Sequence, residues 1–365
     1  MNRLLEEIRH NRLLWLLVFV PAVFVGHALA PEAQTVLFGI SVLAIVPLAA
    51  LLSRATESVA AKTGDTVGGL LNATLGNLTE LVIALTALRA GEYMLVKASI
   101  AGAIVANTLF MLGASFLLGG LKHHVQEFNR ASARLQAGLL FLATVALLVP
   151  SALSQADAAP PAAFTHKLSV GLSLLLMLAY GLGLVFSLKT HRDFFSGGKH
   201  EPEEEETPWP IGLALATLGG VTVLVALVSE VFVESVQGAA ADLGMTPAFV
   251  GFIVVALVGG AAEMASAFAA ARKDRLDMSV GIALGSAAQI ALFVAPALVL
   301  LSYVMGPAPM TLQFWPGAVV MMLIGAVTAS FVVLGGRSAW FVGVLVLMVY
   351  SIFAMTLYLL PPQAP

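Results

Sequence analysis

Long apolar stretches separated by short polar loops run along the whole chain. A membrane-spanning helix needs about 20 mainly apolar residues to cross about 30 Å of hydrocarbon. Eleven segments meet this requirement, and we number them one to eleven: 13–30, 35–53, 66–89, 95–120, 134–153, 168–188, 210–233, 246–270, 278–304, 312–334 and 338–360. None alternates apolar and polar residues as a barrel strand does. The pattern predicts an all-α integral membrane protein with eleven transmembrane helices.

Composition indicates that lipid surrounds much of the chain. Of 365 residues, 59% are hydrophobic and 11% are charged, and the mean hydropathy is +0.95. A soluble domain carries roughly 25% charged residues. The net charge of −3 and the lack of a basic tract give no reason to expect a nucleic-acid partner. The absence of cysteine excludes disulfides, thiol catalysis and thiolate metal sites.

The first apolar segment is interpreted as a retained helix. Ala28-Leu29-Ala30 resembles the cleavage site of a secretory signal. However, Pro31 would then be the first mature residue, where its ring fits a peptidase poorly. Residues 1–34 are therefore expected to hold an N-terminal segment and the first transmembrane helix.

Basic residues are distributed unevenly between the two sides of the membrane. If the N-terminus lies inside, only Arg89, Lys97 and Lys167 of the 18 lysines and arginines fall outside. The positive-inside rule then places the N-terminus in the cytoplasm and the C-terminus outside. A short multi-span chain of this kind suits a bacterial inner membrane.

The two halves of the chain contain an internal repeat. GGLLNATLGNLTELVIALTAL at 68–88 resembles FVGFIVVALVGGAAEMASAF at 249–268, and within them Gly76 and Gly259, like Glu80 and Glu263, are 183 positions apart (80 to 263). The same offset relates three further pairs: Gly102 and Gly285, Leu109 and Leu292, and Phe110 and Phe293. Matching segments lie an odd number of spans apart, so they cross the membrane in opposite directions. We predict two inverted five-helix repeats, 35–188 and 210–365, after an extra N-terminal helix.

An acidic loop at 189–209 separates the predicted repeats. It contains Glu201 and the run from Glu203 to Glu206 between Pro202 and Pro208. We interpret the loop as a solvated cytosolic linker, and the alternative is a segment that attracts cations and has a regulatory role.

Glu80 and Glu263 are the strongest candidate site residues because both lie deep within apolar segments. A charge at the centre of a membrane helix costs ~2.5–3.5 kcal/mol on insertion scales. A single buried glutamate could be a protonated hydrogen-bonding group. Two at repeat-equivalent positions instead favour a functional site near the midplane, where inverted repeats meet.

Oxygen-bearing and flexible positions surround these glutamates. Asn77 lies one helical turn before Glu80, on the same face. Glycine can loosen a helical backbone so that its carbonyl groups turn toward a cation. Five glycines lie near the two glutamates: Gly68, Gly69, Gly76, Gly259 and Gly260. The following segments add Ser99, Asn107, Ser279, Ser286 and Gln289. Each of these alone is more often a helix–helix hydrogen-bonding group than a ligand.

Hard oxygen ligands with two carboxylates suit Ca²⁺, which takes 6–8 oxygens. Zn²⁺ and Cu²⁺ prefer nitrogen or sulfur, but six of the seven histidines lie in or beside loops, and His27 in segment one is isolated. Mg²⁺ is an alternative ion for the site, but it requires a stricter octahedral geometry. Two close carboxyl groups titrate as a pair. Protons and a divalent cation would therefore compete for one site, which gives exchange if access alternates.

Two further glutamates are candidates for a gate or a proton pathway. Glu230 lies within segment seven, and Glu57 lies near the end of segment two. An interfacial position without a transport role is the alternative, and it is favoured for Glu57 and for Glu234.

Gly76-Asn77-Leu78-Thr79-Glu80-Leu81 resembles the G-N-x-x-E-L motif of the calcium/cation antiporter superfamily, specifically of its Ca²⁺/H⁺ exchanger (CAX) branch. Gly285-Ser286-Ala287-Ala288-Gln289-Ile290 resembles the helix-nine segment of that branch. The likeness spans nearly the whole chain. It implies Ca²⁺ export in exchange for H⁺, with no cofactor and with membrane lipid as the surroundings.

The resemblance also implies roles for individual residues. Glu80 and Glu263 would bind the cation, and segments two and seven would slide to alternate access, with Glu57 and Glu230 responding to the transport state. The remaining site residues would be the backbone around Gly76, Asn77, Gly259 and Gly260, with Asn107, Ser286 and Gln289 close by.

The chain departs from the family pattern at four positions. Gly260 and Met264 stand where the second motif usually has Asn and His, and Ala103 and Ala106 stand where hydroxyl residues are common. These departures bear on affinity, ion choice and the response to pH.

Three alternatives remain at this point. The first is a relative driven by Na⁺ or carrying another divalent cation, and the second is a cation channel, although no selectivity-filter sequence is visible. An intramembrane enzyme is disfavoured, since there is no HExxH motif, no cysteine and no Ser–His pair within the spans. A monomer and a homo-oligomer are both compatible with the sequence.

Overall fold

The structure is a computed structural model that describes residues 9, 11–153, 161–191 and 208–359. Most of these residues are helical. In chain order the helices are α1 (Arg12–Leu29), α2 (Gln34–Lys62), α3 (Asp65–Leu75), α4 (Leu78–Arg89), α5 (Tyr93–His123), α6 (Arg130–Leu153), α7 (Ala162–Thr190), α8 (Ile211–Asp242), α9 (Pro247–Gly259), α10 (Ala261–Arg272), α11 (Leu276–Met305), α12 (Pro316–Val333) and α13 (Trp340–Leu359).

Within the described residues, nine helices are long and apolar enough to cross a membrane, or ten if the bent pair α9–α10 is one span. The predicted all-helical, membrane-spanning architecture is confirmed at this level. The further predicted segment, 66–89, is divided between α3 and α4. The acidic stretch 201–206 lies outside the described residues.

Helices α2 and α8 are longer than their apolar segments. The predicted span 35–53 belongs to a helix of 29 residues, and 210–233 belongs to one of 32 residues. Polar residues end each apolar window, but the alanine-rich ends, Ala60-Ala61 and 239–241, keep a high helix propensity. The two helices pack against each other, with the rings of Phe38 and Phe232 stacked 5.3 Å apart.

Two helices are interrupted immediately before the candidate glutamates. The break between α3 and α4 falls at Gly76-Asn77, and α9 and α10 meet at Gly260 with a bend of 59°. Glu80 and Glu263 consequently lie in the first turns of α4 and α10. The positive end of each helix dipole therefore faces a carboxylate.

A short strand pair joins loops that are distant in sequence, and the prediction of an all-helical chain did not include it. β1 (Val125–Glu127) pairs antiparallel with β2 (Arg337–Ala339). Beside it, Gln126 Nε2 donates to the Ala271 carbonyl at 2.9 Å, and Lys122 Nζ donates to the Arg272 carbonyl at 2.9 Å. These contacts satisfy carbonyls at the end of α10. We call this end of the bundle the strand end.

Helix α5 packs with its backbone directly against α9. A Cβ atom at Gly102 would lie 2.1 Å from the Phe252 carbonyl oxygen, so no side chain fits there. Beyond this contact, α5 contains a π-helical segment, Ala106–Met111, and α11 contains another, Ile290–Val294. Such segments are frequent at functional sites, and both of these adjoin the candidate polar residues.

Candidate cation site

Glu80 and Glu263 converge on one region of the bundle. A Cβ atom at Gly259 would lie 3.0 Å from Glu80 Cγ, so the Glu80 side chain passes directly over the end of α9. A Cβ atom at Gly260 would lie 3.7 Å from Glu80 Oε1. The Glu80 carboxylate is also close enough to Glu263 for the two charges to repel each other. The helix breaks thus bring together the two carboxylates that the repeat pairs in sequence.

A continuous chain of hydrogen bonds links the predicted amide and hydroxyl residues. Asn107 Nδ2 donates to Ser286 Oγ at 2.8 Å, and Ser286 Oγ donates to Asn77 Oδ1 at 2.7 Å. Asn77 Nδ2 donates to Gln289 Oε1. Glu263 and Ser286 line the same cavity. The structure therefore places four of the predicted polar residues in a single cluster, contributed by helices from both halves of the chain, with Glu263 beside it.

Glu263 carries an unsatisfied oxygen. Its Oε2 atom is buried and has no hydrogen-bond partner among the described residues. A buried charged oxygen without a partner is costly. A carboxylate in this situation is suited to binding a proton or a cation.

The Glu263 side of the cluster opens into a wide, polar path. A cavity of about 290 Å³ is lined by Gly76, Glu263, Ser286 and Gln289, and it shares lining residues with two further cavities of about 260 and 520 Å³. Glu57 and Ser266 line all three. The path extends toward the strand end, where Lys273 and Arg275 line the last cavity. We call these three neighbouring cavities the vestibule.

The Glu80 side of the pair is nearly closed and apolar. The cavity there measures about 20 Å³, which is room for about one water molecule. Its lining is almost entirely aliphatic: Ile83, Ala84, Ile100, Ala103, Val255, Ala256, Ile290 and Val294. Ser99 also lines it, but its hydroxyl donates to Val96 in its own helix at 2.9 Å. The surroundings of the two carboxylates are therefore strongly asymmetric.

The other predicted site residues are placed differently. Glu57 is exposed and lines the vestibule, where it accepts a hydrogen bond from Ser53 at 3.3 Å and lies 4.0 Å from Arg54. Ser279 is buried in α11 but does not line the cavities described above. Glu230 is exposed on α8 and is not a lining residue either. Its role in gating stays a prediction.

Sequence reasoning missed three polar residues that line the cavity beside Glu263, namely Ser53, Asn72 and Ser266. Helical spacing was the available signal. Ser53 lies four residues before Glu57, Asn72 four before Gly76, and Ser266 three after Glu263, so each shares a face with a residue that was singled out.

The chain belongs to the sodium/calcium exchanger protein family, whose sequence profile matches residues 33–189 and 213–359. Within this family it is similar to Ca²⁺/H⁺ antiporters. It is 39% identical over 366 residues to the Ca²⁺/H⁺ antiporter of Synechocystis sp., covering 95% of this chain and 96% of that protein. It is 39% identical over 355 residues to the Ca²⁺/H⁺ antiporter ChaA of Bacillus subtilis, covering 96% and 100%.

A solved structure agrees with these sequence relatives. The crystal structure of the selenium-substituted Ca²⁺/H⁺ antiporter protein YfkE superposes with a TM-score of 0.81 at 36% identity, covering 96% of this chain and 100% of that one. The resemblance predicted from the motifs at 76–81 and 285–290 is confirmed. The relatives and the apolar helices together define an integral membrane transporter.

Proposed function

We propose that the protein is a secondary antiporter that exports Ca²⁺ from the cytosol in exchange for H⁺. The observation that carries this proposal is that Glu80 and Glu263 come from the first turns of two broken helices and approach each other, with a cluster of amide and hydroxyl groups beside Glu263. The names of the similar antiporters support the choice of ions.

The cluster has the donor set that Ca²⁺ requires. Ca²⁺ takes 6–8 oxygens in an adaptable shell. Two carboxylates, the side-chain oxygens of Asn77, Ser286 and Gln289, and backbone carbonyls beside Gly76, Gly259 and Gly260 supply enough atoms. Asn107 holds Ser286 in place through its amide. Two protons neutralise the same two carboxylates, so that protons and Ca²⁺ exclude each other.

The conformation described here is an inward-open state in this proposal. The vestibule leads from Glu263 to the strand end, and the opposite side of Glu80 is sealed by aliphatic side chains. The positive-inside rule places Lys273 and Arg275, and with them the strand end, in the cytosol. Ca²⁺ would then enter from the cytosol and leave after the aliphatic seal opens and the vestibule closes.

Inverted repeats explain how the site can be accessible from each side of the membrane in turn. Counting α3–α4 and α9–α10 as one broken span each gives eleven spans, with α1 outside the two five-helix repeats. Both breaks occur three residues before a glutamate, and the π-helical segments Ala106–Met111 and Ile290–Val294 overlap at the offset of 183.

The repeat also suggests a place for Glu230. Glu57-Ser58-Val59 of α2 matches Glu234-Ser235-Val236 of α8, which aligns Ser53 with Glu230. Ser53 lines the open vestibule. In the outward-open state we expect Glu230 to line the opposite vestibule, as a gate or proton carrier.

The site disfavours a Na⁺-driven relative. Additional Na⁺ sites need further oxygen ligands, yet the Glu80 side presents Ala103, Val255 and Ala256. A Cβ atom on Gly260 would lie 3.7 Å from Glu80 Oε1 and 3.4 Å from Met264 Cε, so both residues lie near the Glu80 carboxylate. The residues that depart from the family pattern thus make this half of the site poor in ligands.

The direct test is ⁴⁵Ca²⁺ uptake into proteoliposomes with an imposed pH gradient and a clamped membrane voltage. We expect uptake to follow the pH gradient, and we expect Ca²⁺ affinity to fall as the pH is lowered, because protons compete for the same carboxylates. Uptake that responds to a Na⁺ gradient would favour the Na⁺-driven alternative. Ca²⁺ flux without proton counterflow would favour a channel.

The inward-open assignment predicts which positions a soluble reagent reaches. The chain has no cysteine, so each introduced cysteine is labelled uniquely. In inside-out vesicles, Ser266→Cys in the vestibule should react rapidly with a membrane-impermeant thiol reagent, and Ser99→Cys in the closed cavity should be protected. Equal labelling rates, or faster labelling of Ser99→Cys, would contradict the assignment.

A further inference from the structure

A cavity at the mouth of the vestibule is unusually basic for a cation path. It measures about 520 Å³ and is lined by three cationic side chains, those of Arg54, Lys273 and Arg275. Among its described lining residues, Glu57 is the one carboxylate. The cavity lies between α2 and the α10–α11 turn, and hydroxyl groups of Ser58 and Ser266 add polar atoms.

Arg54 lies 4.0 Å from Glu57, but the described contacts do not account for Lys273 and Arg275. The carbonyls that end α10 already receive hydrogen bonds from Lys122 and Gln126, and Asp274 accepts one from Gln126 at 2.8 Å. Within the described part of the chain, no ion pair joins Lys273 or Arg275 to a carboxylate. Arg275 Nε is buried and lacks a hydrogen-bond acceptor among the described residues. Leaving a buried N–H group without an acceptor is costly.

The backbone at the cavity also favours an anion. Helix α11 begins directly after Arg275, and Met278 in its first turn lines the cavity. The first N–H groups of a helix lack internal partners, and the dipole there is positive. Asp277 opposes this effect with one negative charge, which leaves the surroundings cationic overall. Arginine and lysine beside a helix N-terminus are a suitable set for a phosphate group.

We propose that this cavity binds the phosphate group of an anionic ligand, either a phospholipid headgroup or a soluble phosphate ester, between α2 and α11. Basic pockets between transmembrane helices on the cytoplasmic side are typical headgroup sites. The cavity shares Glu57, Ser266 and Met278 with the cavity that reaches Glu263. A bound phosphate therefore neutralises a rim that otherwise repels Ca²⁺ on its way to the site.

The binding test uses the purified full-length protein and phosphatidylglycerol as the probe, with retained lipid measured by native mass spectrometry. We expect Lys273→Gln and Arg275→Gln each to weaken retention about fivefold, since one basic residue at an anionic surface contributes about a factor of five. Lys273→Arg should keep retention. The matched control is Arg134→Gln, which removes an exposed basic side chain outside the cavity. Equal retention by the control and by both cavity variants overturns the proposal.

A transport assay tests the consequence, and this part alone rests on the proposed Ca²⁺/H⁺ exchange. We expect phosphatidylglycerol to stimulate exchange by wild type and Arg134→Gln over vesicles of pure phosphatidylcholine, and to stimulate Lys273→Gln and Arg275→Gln much less. Stimulation by glycerol phosphate in phosphatidylcholine vesicles would assign the ligand to the soluble pool. Stimulation by lipid that is identical in all variants would reflect surface charge only and would contradict a bound phosphate. Because retention is measured without transport, a failure of the exchange hypothesis would be seen separately.

Discussion

Glu80→Gln and Glu263→Gln should each abolish Ca²⁺ exchange driven by a pH gradient, with a loss of at least about 100-fold in initial rate. Each change removes one of the two carboxylates of the proposed site, which lie in the first turns of α4 and α10. Removing one partner of a buried ion pair costs about 3–5 kcal/mol, and each 1.36 kcal/mol corresponds to a factor of ten. The bound Ca²⁺ would lose such a partner, and the site would also lose one of its two exchangeable protons.

The measurement is ⁴⁵Ca²⁺ uptake into proteoliposomes, together with Ca²⁺ binding to the purified variants. Glu127→Gln is a suitable control, because Glu127 is an exposed carboxylate in β1 that lies outside the site and the vestibule. Exchange that survives in either site variant at more than a few per cent of the wild-type rate would show that the pair is not the shared site. Retained folding of all variants should be verified by size-exclusion chromatography.

Gly102→Ala should strongly destabilise the protein, whereas Gly285→Ala at the repeat-equivalent position should be tolerated. The added methyl group at Gly102 would lie 2.1 Å from the Phe252 carbonyl oxygen, which belongs to backbone and cannot turn aside. Overpacking in a well-packed interior costs about 1–3 kcal/mol and occasionally more, and a clash with backbone belongs at the upper end. At Gly285 the nearest atom, Gln136 Nε2, would be 3.7 Å away.

Thermal unfolding in detergent compares the two variants directly. We expect a marked fall in the midpoint for Gly102→Ala, or a loss of monodisperse protein, and little change for Gly285→Ala. Equal midpoints would mean that α5 and α9 do not approach each other as closely as described. The comparison is sharp because sequence alone treats the two glycines as equivalent.

Part of this architecture could be predicted from the sequence because the lipid bilayer restricts the length and the polarity of the segments that cross it. Spans must be long and apolar, so that segment positions follow from hydropathy alone. Buried carboxylates are expensive, which singled out Glu80 and Glu263 before any contact was known. The repeat then indicated that the two belong to one site. The structure places the Glu80 side chain beside Gly259 and Gly260, three to four residues before Glu263, and the shared cation site stays a prediction.

Other features depend on contacts that no local pattern records. The full lengths of α2 and α8 were hidden because polar residues such as Arg54 end the apolar window without ending the helix. The strand pair involves three residues on each side, too few for a recognisable period. The asymmetry around the carboxylates arises from side chains of four helices that meet only in the folded bundle. The vestibule is likewise a property of packing.

The strand pair constrains the order in which the protein can be completed during synthesis. β1 ends at Glu127, but its partner strand begins only at Arg337, just before the last helix. Contacts between residues so far apart in sequence form late. Until β2 has been synthesised, the backbone groups of β1 have no partner strand. Completion of the strand end, which borders the vestibule, therefore waits for β2, which follows every helix from α6 to α12.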